Sequence, residues 1–344
     1  MKAQYQRCEL FAVCAPGFEV CVGEELKAYG FRRIQIEVGG VAFTGHPLLA
    51  NRVLATPTRI LQRIARFKAP SFPALEKGIK AIDFTPFGGL TPHATCKKSK
   101  LYHSGAIESR VRNWVTPGPN TLHIRLHRDR CTVSIDTSGE RLHRRGWRLE
   151  TGPAPLRETL AANLLRTIGW QPGISLVDPM CGSGTFIIEA AGAAAGLPPG
   201  RLRSFACEQW VKTPRRIVEF NGLDTVIFGS DKNAKTIESA TRNAERAGVS
   251  PGFTVSDALH CQPPTPKGII ICNPPYGRRV KNPRAFQVIG DLLRGPFHSW
   301  HAGIIVPNAT SLKALGRQPA QVIPIVNGGL RLEFAILPSK SEVG

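Results

Sequence analysis

The sequence predicts an α/β protein: a doubly wound, mainly parallel sheet in its second half, preceded by an α+β module. Three observations carry this. From Leu156 onward short apolar runs alternate with helical stretches, the rhythm of βαβ units. Before residue 139, strand and helix patterns follow one another without that rhythm. The stretches Asp178-Pro-Met-Cys-Gly-Ser-Gly184 and Asn273-Pro-Pro-Tyr-Gly277 each come straight after an apolar run. That is where open α/β sheets place ligands.

In chain order, Leu10–Val13 is expected as a strand and Gly17–Tyr29 as an amphipathic helix. Ile34–Val38 and Val41–Phe43 form a hairpin turned by Gly39-Gly40. Ile60–Phe67 alternates arginine with apolar residues and reads as a strand. Phe72–Ile82 and Ser104–Val115 have helical spacing, and Leu122–Leu126 with Cys131–Asp136 make a second hairpin. Residues 139–155, rich in arginine and ending in Thr151-Gly-Pro-Ala-Pro155, read as a linker. Beyond it the strands are Ser175–Asp178, Val226–Ser230, Phe253–Ser256, Gly268–Cys272 and Gly303–Pro307. The helices between them include Thr185–Ala195, Ala234–Ala247 and Ala285–His298. Val322–Val326 and Leu330–Leu337, joined at Asn327-Gly-Gly329, are expected as a hairpin on the sheet edge.

A chain of 344 residues is long enough for two or three domains, each with its own core. The formal net charge of +20 decides more. Residues 1–150 hold 24 Lys and Arg against 12 Asp and Glu, and the remainder 21 against 13, so both parts are basic. Solubility alone is served by a net charge of about 2–8 in a small domain. An excess of this size points to a polyanionic partner, whose binding is driven by phosphate neutralisation and counterion release. The nine cysteines show no CxxC spacing and no neighbouring histidine pair, so no metal is expected. Cys131, Cys207 and Cys272 lie in or beside apolar runs, as small buried residues of a reducing compartment do. No signal peptide opens the chain, and no apolar stretch approaches the ~20 residues needed to span a bilayer. The expectation is a cytoplasmic, monomeric protein that does not engage a membrane.

The chemistry-bearing stretches all sit at strand ends. Gly182 and Gly184 let the backbone pass close to a ligand, and the unpaired amides of the following helix favour an anionic group. The third glycine of the dinucleotide fingerprint is missing, which disfavours NAD. Asp231 ends the next strand, where an acid can accept both ribose hydroxyls; its purely structural alternative is a cap for Ala234–Ala247. Asp257 can accept from an exocyclic amine, or can simply be a turn residue. The stretch Asn273–Gly277 is the sharpest. Consecutive prolines fix the backbone and remove donors, so nearby carbonyls are left to accept hydrogen bonds. The Asn273 oxygen and a proline carbonyl can then hold a flat NH2 group, with Tyr276 stacked on the attached base, a contact worth ~1–3 kcal/mol. No strong base is required if the amine attacks first and loses its proton afterwards. An ordinary surface turn is the competing interpretation.

These residues resemble class I S-adenosylmethionine-dependent methyltransferases acting on RNA. They are most similar to the THUMP-containing guanine-N2 methyltransferases of tRNA and large-subunit ribosomal RNA. The resemblance rests on Asp178–Ala191, Gly229-Ser-Asp231 and Asn273–Gly277. It also rests on Asp136–Trp147 with Ala154–Ala161, which is similar to that family's inter-domain junction. It covers residues 132–337 and is more diffuse before that. It implies a Rossmann-like domain whose seven-stranded sheet is mainly parallel with an antiparallel edge hairpin. It further implies a ferredoxin-like element at 1–55, a THUMP RNA-binding domain at 56–138, a linker at 139–155 and the methyltransferase domain at 156–344. S-adenosyl-L-methionine is the implied cofactor, held by Asp178, Pro179, Met180, Cys181, Gly182, Ser183, Gly184, Thr185 and Phe186. Asp231 and Lys232 would lie at its ribose, Asp257 and Ala258 at its adenine, and Leu156 and Thr159 over it. Lys232 departs from the acidic or small residue common at that place, which changes only local charge. Asn273, Pro274, Pro275 and Tyr276 would present the target amine.

Structured RNA is the expected partner, gripped by Lys97, Lys98 and Lys100 and by Arg141, Arg144, Arg145 and Arg148 at the junction. Each cluster could also be a merely solvated face. Two other functions stay open at this point. A DNA adenine-amine methyltransferase shares the Asn-Pro-Pro-Tyr stretch, although the N-terminal module favours RNA. A catalytically silent RNA-binding protein is the other, although it would have no need of the strand-end acids. The choice between tRNA and ribosomal RNA, the nucleotide, and mono- or dimethylation are not legible in the sequence.

Overall fold

The computed structural model describes residues 7–151, 155–213, 222–275 and 284–339. The chain divides into two units, one of Met1–Ala15, Val22–Leu142 and Ser204–Ile217, the other of Pro16–Cys21, His143–Arg203 and Val218–Gly344.

The first unit is built on β1 (Cys8–Val13), β2 (Arg32–Glu37), β3 (Gly40–Gly45), β4 (Arg59–Lys68), β5 (Leu90–Lys97), β6 (Asn120–His127) and β7 (Arg130–Asp136). With them run α1 (Glu19–Ala28), α2 (Pro47–Val53), α3 (Phe72–Lys80) and α4 (Ser104–Arg112). The strands form one sheet in the order β2-β3-β1-β4-β7-β6-β5. All neighbours are antiparallel except β5 and β6. The alternation along β6 is strict: Leu122, Ile124 and Leu126 are buried, and they share a core with Leu75 and Ile79 of α3 and Ile107 and Val111 of α4. A period-two strand laid against period-3.6 helices buries one face of the sheet and leaves the other polar.

Both expected hairpins are present. Helix α2 and strand β5 are not among the elements the sequence pattern predicts: α2 has only seven residues, and β5 carries Pro92, a residue that counts against a strand. A second difference concerns the linker. The expected division at 139–155 has the chain cross once, whereas Ser204–Ile217 returns to the first unit. There Cys207 N donates to Thr137 O at 3.1 Å, and the Trp210 ring meets Phe87 edge-on with 5.8 Å between centroids. Local pattern cannot show such a return, since its partners are about 70–120 residues away in sequence.

The second unit contains α5 (Glu158–Thr167), β8 (Leu176–Asp178), α6 (Thr185–Ala194), β9 (Ile227–Asp231), α7 (Ala234–Ala247), β10 (Gly252–Val255), β11 (Ile269–Cys272), α8 (Ala285–Arg294), β12 (His301–Val306), α9 (Ala309–Ala314), β13 (Gln321–Asn327) and β14 (Leu330–Leu337). Its sheet runs β10-β9-β8-β11-β12-β14-β13. The first five strands are parallel and β13–β14 is an antiparallel hairpin on β12. This is the Rossmann-like, mainly parallel arrangement with an edge hairpin that the sequence implies. β11 is buried at every residue, Ile269 to Cys272, as a strand covered on both faces must be.

In the first unit one carboxylate ties a helix to the loop after α2. Glu25, fully buried, accepts from Ala55 N at 2.9 Å, from Thr56 N at 3.0 Å and from the Thr56 hydroxyl. Glu25→Ala leaves those donors buried and unpaired. Unsatisfied buried groups cost about 1–3 kcal/mol each, so the variant should lose about 2–4 kcal/mol of stability in urea unfolding. An unchanged midpoint would show that water replaces the carboxylate without cost.

Candidate active site

The second sheet reverses its order between β8 and β11. From β8 the chain moves out to β9 and β10, and from β11 to β12 and the hairpin. Connections that diverge from adjacent parallel strands leave a crevice at their carboxyl ends. Here a cleft of about 500 Å³ occupies that place.

Its walls are what the sequence pattern singles out. Asp178, Pro179, Met180, Cys181, Gly182, Ser183, Thr185 and Phe186 line it from the turn after β8. Asp231 and Lys232 line it after β9, Asp257 and Ala258 after β10, and Asn273, Pro274 and Pro275 after β11, with Leu156 ahead of α5. Two expected residues are not in the wall. Thr159 is 2% exposed within α5, and Gly184 is the N-cap residue of α6. Tyr276 lies outside the described residues. Six further wall residues were not singled out in the sequence: Pro155, Asn233, Thr236, Leu259, Arg284 and Val288. Arg284 and Val288 are one helical turn apart at the start of α8, so spacing was the only signal, and it does not say which helix end faces the crevice.

The turn after β8 is held by backbone hydrogen bonds within itself and to β9. Cys181 N donates to Ser230 O at 2.9 Å, and Gly184 N donates to Cys181 O at 2.9 Å. Gly182 and Gly184 have φ of 55° and 83°, the left-handed region open to glycine at no steric cost. A Cβ on Gly184 would also meet the Phe253 ring at 3.0 Å. The turn leads directly into α6, whose first amides have no partner within the helix and point their dipoles toward the crevice.

Asp231 lines the cleft and does not cap α7. The cap of α7 is Asn233, whose side chain accepts from Lys235 N at 3.0 Å. Asp231 instead accepts from Asn233 N at 2.9 Å and from Gly182 N at 3.2 Å, which aims its carboxylate into the cleft with lone pairs to spare. Asp257 both lines the cleft and accepts from Leu259 N at 3.0 Å, so it also fixes its own turn. After β11 the Asn273 Oδ1 is buried and has no hydrogen-bond partner among the described residues. A buried acceptor left open at a cleft is a place for a ligand's donor.

Asp178 is 2% exposed. Burial pushes its carboxyl up to about 7; the Met180 amide and the Cys272 thiol pull against that by hydrogen bonding, and the nearby Asp231 charge adds to the rise.

Two junction arginines differ from their expected place. Arg145 is 2% exposed and pairs with Glu189 through two hydrogen bonds of 3.2 and 3.0 Å. The Arg148 guanidinium donates to Leu156 O at 2.7 Å and to the Thr185 hydroxyl, and pairs with Glu158 at 3.3 Å. Both are spent inside the second unit and offer no charge to a phosphate outside it. Arg148 holds two wall residues of the cleft, Leu156 and Thr185, in a single grip. Arg141 and Arg144 are exposed, as are Lys97, Lys98 and Lys100 in the first unit. No group of His, Cys, Asp and Glu suited to a metal occurs among the described residues. Nor is any described helix long and apolar enough to cross a membrane.

The raised Asp178 value sets a pH dependence. Its protonated form is favoured in the folded chain, so this contribution to stability is present below about 4 and is lost as pH rises through about 7. Asp178→Asn keeps an oxygen for Met180 N and removes the charge. The variant's melting temperature should therefore gain on the native chain between pH 5 and pH 8. A difference constant over that range would show that Asp178 does not titrate there.

Known proteins agree with this architecture. Residues 145–335 match the family model described as the RMKL-like methyltransferase domain, and residues 9–61 match the RlmL ferredoxin-like domain. A Synechocystis protein provisionally named an RNA methyltransferase is 32% identical over 93% of this chain and 94% of its own. The ribosomal RNA large subunit methyltransferase K/L of Shewanella frigidimarina is 32% identical over 95% of this chain, which spans about half (52%) of that longer protein. Among solved structures, a protein provisionally named a methyltransferase and crystallised with SAH superposes with a TM-score of 0.84 at 26% identity, covering 97% of this chain and 99% of its own. A predicted N6-adenine-specific DNA methylase of Listeria monocytogenes superposes at 0.86 and 25% identity, covering 97% of each. The matched model spans more than half of the residues, and the chain belongs to the RMKL-like methyltransferase family.

Proposed function

We propose that this chain transfers a methyl group from S-adenosyl-L-methionine to the exocyclic N2 amine of a guanosine in structured RNA, with large-subunit ribosomal RNA favoured by the K/L relatives' name. The observation that carries it is that Asn273, whose Oδ1 is buried without a hydrogen-bond partner among the described residues, lines the same crevice as the glycine turn after β8.

The cleft fits the cofactor. The amides at the start of α6 and the turn Asp178–Gly184 suit a methionine carboxylate, Asp231 suits a ribose, and Asp257 with Ala258 suits an adenine. When bound, S-adenosylmethionine supplies an electrophilic methyl group on a sulfonium. Everything else is positioning. Asn273 Oδ1 and the Pro274 carbonyl accept the two amine hydrogens, which turns the nitrogen lone pair toward the methyl and raises its electron density. Pro274 and Pro275 have no N–H to compete for those acceptors. Tyr276 is proposed to stack on the base. The amine proton leaves after transfer, so no strong base is asked of the site. The mainly apolar cleft keeps water from the reacting atoms, which strengthens each hydrogen bond within it.

The first unit supplies the grip on RNA in this reading, with residues 1–55 as a ferredoxin-like element and 56–138 as the THUMP module. Nucleoside mass spectrometry of ribosomal and transfer RNA from a deletion strain tests the substrate: loss of N2-methylguanosine at one site supports it. Methylation of duplex DNA but not RNA by the purified chain would give the reaction to an adenine-amine DNA enzyme instead.

Two variants separate target from cofactor. Asn273→Ala should lower single-turnover transfer by ~10²–10³, as loss of one positioned hydrogen-bond group does, with S-adenosylmethionine affinity nearly intact by calorimetry. Near-native turnover would remove Asn273 from the mechanism. Asp231→Ala should instead weaken cofactor binding by about 2 kcal/mol or more through lost hydrogen bonds to a charged acceptor. Unchanged affinity with a lowered melting temperature would reduce Asp231 to a brace for the Gly182 amide.

A further inference from the structure

The uncovered face of the first unit's sheet carries its own pattern. Strand register aligns side chains in rows across β5, β6, β7 and β4. One row is Lys97, His127, Arg130 and Lys68. The next on the same face is Thr95, Arg125, Thr132 and Arg66, and the third is His93, His123, Ser134 and Arg63. Alternate residues such as Ile124, Leu126 and Val133 point the other way, into the core beneath α3 and α4. Rows of this kind stand about 7 Å apart along a strand, with neighbours about 4.8 Å apart across the sheet.

The charges on this face are of two kinds. Arg63 is occupied: it pairs with Glu37 at 2.7 Å and lies over the Phe11 ring at 4.1 Å. Arg66 pairs with Glu9. Lys68, Lys97, Arg125 and Arg130 are exposed and make no ion pair among the described residues. The His127 ring registers the resulting field. It is held below its ordinary value, by desolvation first and then by the charges of Arg128, Arg125, Lys97 and Lys98. A depression of about 750 Å³ takes in Lys68, Arg125, His127 and Arg130 of this face.

We propose that this sheet face is the docking surface for the phosphate backbone of a double-helical RNA segment, with Lys68, Lys97, Arg125 and Arg130 as the phosphate contacts. The inference rests on RNA being the substrate and names the surface and the form of RNA that it takes. Charge complementarity supplies the first argument: unpaired cations in rows oppose a polyanion. The second is the absence of a stacking platform. The three rows contain no Tyr, Trp or Phe, and Phe11 is 5% exposed beneath Arg63. Single strands are held by stacking bases on aromatic rings, whereas A-form helices are held by phosphates and shape. Of the lysines singled out in the sequence, Lys97 belongs to the face. Lys98 and Lys100 continue it into the following turn, where Lys100 N donates to Asp129 at 2.7 Å.

The test compares the full-length chain with Lys68→Gln/Arg125→Gln/Arg130→Gln and with a control triple, Lys77→Gln/Lys80→Gln/Arg112→Gln. The control removes the same charge from α3 and α4, on the covered side of the sheet. The probe is a labelled RNA duplex of about 16 base pairs, the span of a shape-reading module, beside a single strand of equal length. Removing three phosphate contacts should lower the log–log salt slope on the duplex by about 2.7 units and the affinity at least tenfold. The control should stay near the native values, and S-adenosylmethionine affinity should not move in either variant. Equal loss in both triples would reduce the effect to net charge and overturn the assignment, as would native duplex binding by the face variant. Loss confined to the single strand would also overturn it. Methyl transfer to RNA by the native chain is read separately. If transfer is present while the face variant binds normally, the surface is wrong and the enzyme reading stands. If duplex binding depends on the face but no RNA is methylated, the surface stands and the enzyme reading falls.

Discussion

The site depends on one pairing of parallel strands. β8 and β11 lie side by side through Leu176 with Ile269 and Val177 with Ile270, and from this seam the chain runs outward in both directions. Backbone hydrogen bonding thus forces two distant turns, at Asp178 and Asn273, to open at the same edge of the sheet. Neither turn has much apolar surface of its own to bury. Their positions come from the strands, which are buried along their length and cannot slip without exposing isoleucines.

Charge inside the second unit serves the same seam. The Arg145–Glu189 and Arg148–Glu158 pairs are nearly out of water, where an ion pair gives little net stability but specifies one arrangement strongly once both partners are present. Arg148 spends its donors on a wall carbonyl and a wall hydroxyl, so the pairing orders the cleft along with the helices α5 and α6. Asp178 stands at the opposite extreme, a buried carboxyl with no cation beside it among the described residues and the Asp231 charge nearby. A mainly apolar cleft with acids at strand ends suits a cationic ligand, because attraction to a sulfonium grows as water is excluded.

The first unit solves a different problem with the same kind of sheet. Helices α3 and α4 cover one face, and the pleat then places every alternate residue of β4, β5, β6 and β7 on the other. Arginine and lysine at those places cost little in stability, since their stems lie along the sheet while their charges stay hydrated. A surface so charged repels itself unless a counterion or partner is present, and that is the energetic basis for the docking proposed above.

Much of this was legible in the residues. The α/β alternation of the second half and the edge hairpin at Asn327-Gly-Gly329 follow from apolar periodicity and turn chemistry, which are local. Asp178, Gly182, Asp231, Asp257 and Asn273 were legible as well, since each sits at the end of a strand and ligand crevices form there. Tertiary structure decided the rest. Arg145 and Arg148 look like surface charges in a basic stretch, and only the fold brings Glu189 and Glu158 to meet them. The return of Ser204–Ile217 to the first unit, and the wall places of Arg284 and Val288, likewise depend on partners far away in the chain. So does the alignment of Lys68 with Arg130, His127 and Lys97, because register across four strands is set by which neighbours pair and not by any one strand's sequence. Local patterns encode what a segment can become, and long-range pairing determines which side chains it meets.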